Sequence, residues 1–139
     1  MAIDVQRVER SDELALKGGE DVVRLRQAVR ERAVAVGFSL VDQTKIVTAA
    51  SEIARNTVIY GRGGVARLEA IVEGARKGLR LIFEDHGPGI ADVEMALRDG
   101  FTSGSGLGMG LGGARRLVNE FAIDSKPGVG TKVTLTRWK

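Results

Sequence analysis

The stretch Leu81-Ile82-Phe83-Glu84-Asp85-His86-Gly87-Pro88-Gly89-Ile90 restricts the fold more than any other part of the chain. An apolar run with an aromatic residue ends in two carboxylates and then in a loop whose glycines bracket a proline. This is the pattern of a buried strand that delivers an acid to a tight turn. An Asp at a strand end can accept a hydrogen bond from an exocyclic amine, and glycines let a flat ring or a phosphate approach the backbone. The turn therefore suits a purine base. Asp and Gly also dominate ordinary surface turns, so its meaning depends on what else the chain carries.

Composition narrows the options. A chain of 139 residues, read as one domain over 1–139, is long enough for a real core and too short for two. With 43% hydrophobic and 28% charged residues it has a globular balance. No apolar run is long enough to span a bilayer, and Met1 to Arg10 lacks the layout of a signal peptide, so a cytoplasmic location with no membrane partner is expected. Without cysteine and with one histidine, disulfides, thiolate nucleophiles, cysteine zinc sites and multi-histidine metal sites within one chain are excluded. A metal must be held by oxygen ligands or arrive with a ligand. The net charge of +3 is spread among acids, as in Arg30-Glu31-Arg32, and aromatics are 4%, which points to solvated helix faces and not to nucleic acid.

Along the chain, Ile3 to Arg10 and Leu14 to Leu16 read as two short strands hinged at Ser11-Asp12. Val22, Leu25, Val29, Ala33 and Val36 recur at helical spacing up to Gly37. Ser39 suits the N-cap of a second helix, about Leu40 to Tyr60, whose apolar side is Ile46, Ala49, Ala50, Ile53 and Ala54. Glu52 and Asn56, four apart, share a shoulder of that stripe, where a carboxylate and a carboxamide must line something polar. Val65 to Glu73 and Gly78 to Glu84 form a hairpin, Asp92 to Arg98 a short helix, and Phe121 to Ser125 with Gly130 to Trp138 a last hairpin.

Between them lies the glycine-dense run from Gly100 to Gly113. Each glycine adds conformational entropy to be lost on ordering, so the run reads as a lid that orders on a ligand and leads into a helix from about Leu111 to Glu120. Gly108, Gly110 and Gly113 match a Gly-x-Gly-x-x-Gly dinucleotide fingerprint, but in the wrong context, since no early βαβ unit precedes them. Met109 and Leu111 read as packing residues, and His86 lacks the partners of a hydrolase triad.

Glu52 with Asn56, Asp85-x-Gly87-x-Gly89, Gly106-x-Gly108-x-Gly110 before a helix, and Gly130-Thr131 opening a strand occur in this order. Jointly they resemble the boxes of the GHKL ATPase superfamily, which includes gyrase, Hsp90, histidine kinases and MutL. The wording Ser51-Glu52-Ile53-Ala54-Arg55-Asn56 and Gly106-Leu107-Gly108-Met109-Gly110-Leu111 looks like the bacterial anti-sigma regulatory serine kinases, above all the RsbT-type stressosome switch kinases. The resemblance covers the chain from the second helix to Lys139.

It implies an α+β fold of the Bergerat type, a two-layer α/β sandwich with a mixed, largely antiparallel sheet and helices on one face. It also implies ATP and Mg²⁺ as cofactors. Asn56 should coordinate Mg²⁺, Glu52 should accept the proton of the attacking hydroxyl, and Asp85 should hold the adenine amine. Gly87 and Gly89 should make room for the base, and Thr131 should fix Asp85 or a water beside it. Thr102, Gly106, Leu107, Gly108, Met109, Gly110 and Leu111 should belong to the nucleotide lid. The implied function is an ATP-dependent serine/threonine kinase that phosphorylates an RsbS-like STAS-domain antagonist in a partner-switching pathway, among scaffold proteins and a PP2C-type phosphatase regulator. The alternative is a non-catalytic anti-sigma factor or phosphatase-activating module with a structural nucleotide site. One departure is that the lid from Thr102 to Gly113 has no arginine, whereas Arg115 and Arg116 lie beyond it and Arg55 points away from Asn56 on an ideal helix.

Overall fold

Two ten-residue strands, β2 (Gly64–Glu73) and β3 (Arg76–Asp85), pair in full antiparallel register through the tight turn at Gly74-Ala75, and the rest of the sheet grows on them. The computed structural model describes residues 5–98 and 110–139. β1 (Gln6–Leu16) adds to the free edge of β2, while β5 (Gly130–Trp138) pairs with β3 and β4 (Glu120–Lys126) lies outermost, in the order β1-β2-β3-β5-β4. All four pairings are antiparallel, where the sequence allowed a mixed sheet.

Alternation sorts the sheet into two faces. Leu79, Leu81, Phe83 and Asp85 of β3 point one way with Ala66, Leu68, Val133 and Leu135, and all of these are buried. Against that face lie α1 (Gly19–Val36) and α2 (Leu40–Ile59), through Leu25, Val29 and Ala33 of the first and Ile46, Ala49, Ala50, Ile53 and Ala54 of the second. Each fully buried Leu or Phe contributes about 1.5–3 kcal/mol. Helix α1 stops where Gly37 takes φ 101°, a left-handed conformation that favours glycine. Helix α2 starts where the Ser39 hydroxyl accepts the Asp42 N–H at 3.2 Å.

Two sequence expectations fail. The N-terminal hairpin is a single strand: Ser11 and Asp12 pair with Glu69 and Leu68 without reversal, and the only irregularity is a bulge between Val8 and Arg10. An edge strand tolerates this polar stretch because its residues through Ser11 are exposed. The helix expected from Leu111 to Glu120 ends early, as α4 (Leu111–Arg116). Asn119 is already captured by β5, donating its N–H to the Thr136 carbonyl at 2.9 Å and accepting the Trp138 N–H at 2.6 Å. Leu117 and Val118, whose spacing suggested more helix, pack on the core from the turn. The short helix after the purine turn is α3 (Val93–Ala96), capped by the Asp92 carboxylate on the Met95 N–H.

Candidate nucleotide site

The last turns of α2 and the C-terminal end of β3 enclose a cleft of about 570 Å³, including its open mouth. Its walls include Asn56 from α2, Asp85 from the end of β3, Gly89 and Ile90 from the turn, Leu111 from α4, and Thr131 and Val133 from β5. The lining is mostly apolar with a few convergent polar groups, the character of a small-molecule site.

Asp85 is 8% exposed. Its Oδ1 accepts the Gly87 N–H at 2.9 Å, which bends the chain into the turn. Close packing of glycine backbones gives the turn its shape. A Cβ at Gly61 would come within 2.6 Å of Asp85 Cβ and collide with its carboxyl group, and a Cβ at Gly87 would sit 2.8 Å from Gly61 Cα. Gly89, at φ 76°, turns the chain against the Lys126 and Pro127 backbone. Thr131 stands opposite Asp85 in the β3–β5 register, with its hydroxyl 2.8 Å from Ser125 Oγ.

Asn56 and Glu52 diverge slightly. Asn56 lines the cleft, and among the described residues its buried Nδ2 has no hydrogen-bond partner. A buried amide left unsatisfied costs about 1–3 kcal/mol, so this end of the side chain is poised for a ligand. Glu52 is off the cleft wall, one helical turn back, where a Cβ at Gly110 would lie 2.5 Å from its Oε2. The carboxylate thus faces the chain where it enters α4. Arg55 does not simply project away: its Nη1 donates to Glu52 Oε1 at 3.3 Å.

The structure therefore gathers Asn56, Asp85, Gly89, Leu111 and Thr131 around one hollow, with Glu52 and Gly110 at its edge and Gly87 behind Asp85. Leu111, 2% exposed, is both core and cleft wall. Thr102, Gly106, Leu107, Gly108 and Met109 lie outside the described residues. The sequence reading missed Gly61, Thr57, Tyr60 and Ser125. Gly61 carried only the signal of a helix-ending glycine, since its contact with Asp85, at the end of the second strand along, is made by the fold. Ser125 had none, since its role arises only from strand pairing. No described helix is long and apolar enough to cross a membrane.

A model of the histidine kinase-like ATPase domain matches residues 18–137. The chain is 43% identical over 118 residues to the serine/threonine-protein kinase RsbT of Bacillus subtilis, covering 85% of this chain and 89% of that one. It is 30% identical over 105 residues to an anti-sigma F factor of Clostridium kluyveri, covering 71% and 72%. A solved structure of the RsbU and RsbW domains of a Mycobacterium tuberculosis protein superposes with a TM-score of 0.62 at 23% identity, over 92% of this chain and 33% of that one, a likeness of fold alone. The chain belongs to the histidine kinase-like ATPase domain family and is an enzyme of its RsbT-like serine/threonine-protein kinase branch.

Proposed function

We propose that the chain transfers the terminal phosphoryl group of ATP to a serine of a small STAS-domain antagonist, then exchanges that partner for a downstream regulator such as a PP2C-type phosphatase. The carrying observation is the unsatisfied Asn56 amide and the Asp85 carboxylate on one cleft, with Glu52 at its edge against Gly110. Phosphoryl transfer needs positioning and charge neutralisation more than covalent help from the protein.

In this reading Asp85 accepts the adenine amine, Gly89 lets the ring approach, Gly87 lets the turn close on Gly61 behind Asp85, and Thr131 orients the polar edge of the base. The Asn56 carboxamide would offer its Oδ1 to a hard cation, which prefers oxygen ligands, while the orphaned Nδ2 would donate to a ligand oxygen. Mg²⁺ bound with the phosphates supplies charge neutralisation. Gly110 and Leu111, with Thr102, Gly106, Leu107, Gly108 and Met109, belong to the segment that wraps the phosphates. Arg55 holds Glu52 Oε1, which leaves Oε2 to take the serine proton as the serine oxygen bonds to the γ-phosphorus and ADP leaves. RsbS-like antagonists and their scaffolds are the partners this predicts.

Incubation with γ-labelled ATP and candidate STAS-domain proteins tests it. Label on a serine is the expected result. A stable complex with a sigma subunit, with no label transferred to any STAS protein, would favour the anti-sigma binding role.

A further inference from the structure

Ser125 sits behind the cleft wall on β4, and three polar groups converge on its hydroxyl. The Ile90 N–H donates to Ser125 Oγ at 2.7 Å, Thr131 Oγ1 lies at 2.8 Å, and the Gly130 carbonyl lies at 3.3 Å. A hydroxyl has one proton and two lone pairs. The Ile90 bond occupies one lone pair, so the proton goes either to Thr131 or to Gly130.

That choice sets what Thr131 shows the cleft. If Ser125 donates to Thr131, the Thr131 proton is free to point at a ligand. If Ser125 donates to Gly130, Thr131 can give its proton to Ser125 and present only lone pairs. The 2.8 Å bond forms either way, and at 3.3 Å the bond to Gly130 is long for an O–H donor, so Ser125 gives up little when it turns its proton to Thr131 and frees the Thr131 proton for a ligand. Facing a ligand acceptor, that arrangement makes Thr131 a donor beside the acceptor Asp85. One acceptor and one donor match the amine and ring nitrogen of a 6-aminopurine and oppose the carbonyl and ring N–H of a 6-oxopurine.

We propose that Ser125 is a positioning residue for base specificity, whose hydroxyl holds Thr131 as a hydrogen-bond donor through the 2.8 Å contact while anchoring the purine turn at the Ile90 N–H. This rests on the reading that the cleft takes the base of ATP. Loosening the Ile90 anchor weakens all purine nucleotides alike, whereas freeing Thr131 alters the choice between them.

The experiment is equilibrium binding of ATP and of inosine triphosphate to the full chain. In Ser125→Ala the ratio of the two affinities falls by about fivefold, the worth of one hydrogen bond. Ser125→Thr keeps the wild-type ratio. In a Thr131→Val background, adding Ser125→Ala leaves the ratio where Thr131→Val put it. A ratio unchanged in Ser125→Ala, or lowered equally with and without Thr131, overturns the proposal. Asp85→Asn separates the two levels. If it abolishes ATP binding while the Ser125 ratio does not move, only the Ser125 role falls; if it leaves ATP affinity unchanged, the base-binding reading falls as well.

Discussion

Gly61, just past the end of α2, lies directly against the side chain of Asp85 at the end of β3: a Cβ on the glycine would come within 2.6 Å of Asp85 Cβ and strike its carboxyl group. The contact fixes where the acid can stand, since β3 cannot shift without breaking its pairing on both sides. Gly61→Ala should therefore push the carboxylate out of place and lower ATP affinity by about tenfold or more, with a smaller loss of stability. Calorimetric titration of ATP checks this, and unchanged affinity would show that the position of Asp85 does not control binding.

Asn56 predicts an opposed pair of effects. Removing its unsatisfied buried amide in Asn56→Ala should leave the melting temperature of the ligand-free chain unchanged or slightly higher, because no hydrogen bond is lost there. Nucleotide affinity should lose its dependence on Mg²⁺. Titrations with and without EDTA measure this; a variant as responsive to Mg²⁺ as the wild type would remove Asn56 from the metal.

Much of this was readable from residue order. Ser39, Gly37 and the apolar spacing placed both long helices to within a residue or two, because capping and periodicity are local physics. The strand ending in Asp85 was equally legible. What failed was set by pairing partners far along the chain. Ser11-Asp12 looks like a turn until β2 is beside it, and Leu117-Val118 continues a helical pattern until Asn119 is claimed by Thr136 and Trp138. The Arg55 contact with Glu52 was missed for another reason: Arg55 was placed only relative to Asn56, although a residue three back is a neighbour that a long flexible side chain reaches on its own helix.

Arg137 ties β5 to α2 and to the end of α4. It donates to Asp42 Oδ1 at 2.6 Å near the start of α2 and to the Leu117 carbonyl at 2.8 Å at the end of α4. The Arg137 hydrogen bond, chiefly, holds the Asp42 carboxyl below its ordinary range. Because the folded carboxyl titrates below the unfolded one, the stabilisation is complete above the unfolded pKa of about 3.9 and is lost as pH falls through the lower folded value. Asp42→Asn should cost about 1 kcal/mol at neutral pH, discounted for the partial exposure of the carboxylate. Urea unfolding at a series of pH values should show the gap to wild type closing in acid below the unfolded pKa. A gap that stays constant down to the acid limit would show that the pair contributes no charge-dependent stability.

The most direct measurement is made on one variant, Glu52→Gln, with two readouts. Its ATP affinity, by titration, should stay within about twofold of wild type, because Glu52 lies off the cleft wall. Its single-turnover rate of phosphoryl transfer to a STAS-domain serine should fall by about a hundredfold or more, the usual loss when a positioned base is removed. Transfer at the wild-type rate with binding intact would contradict the assignment of Glu52 as the base at the edge of the nucleotide cleft.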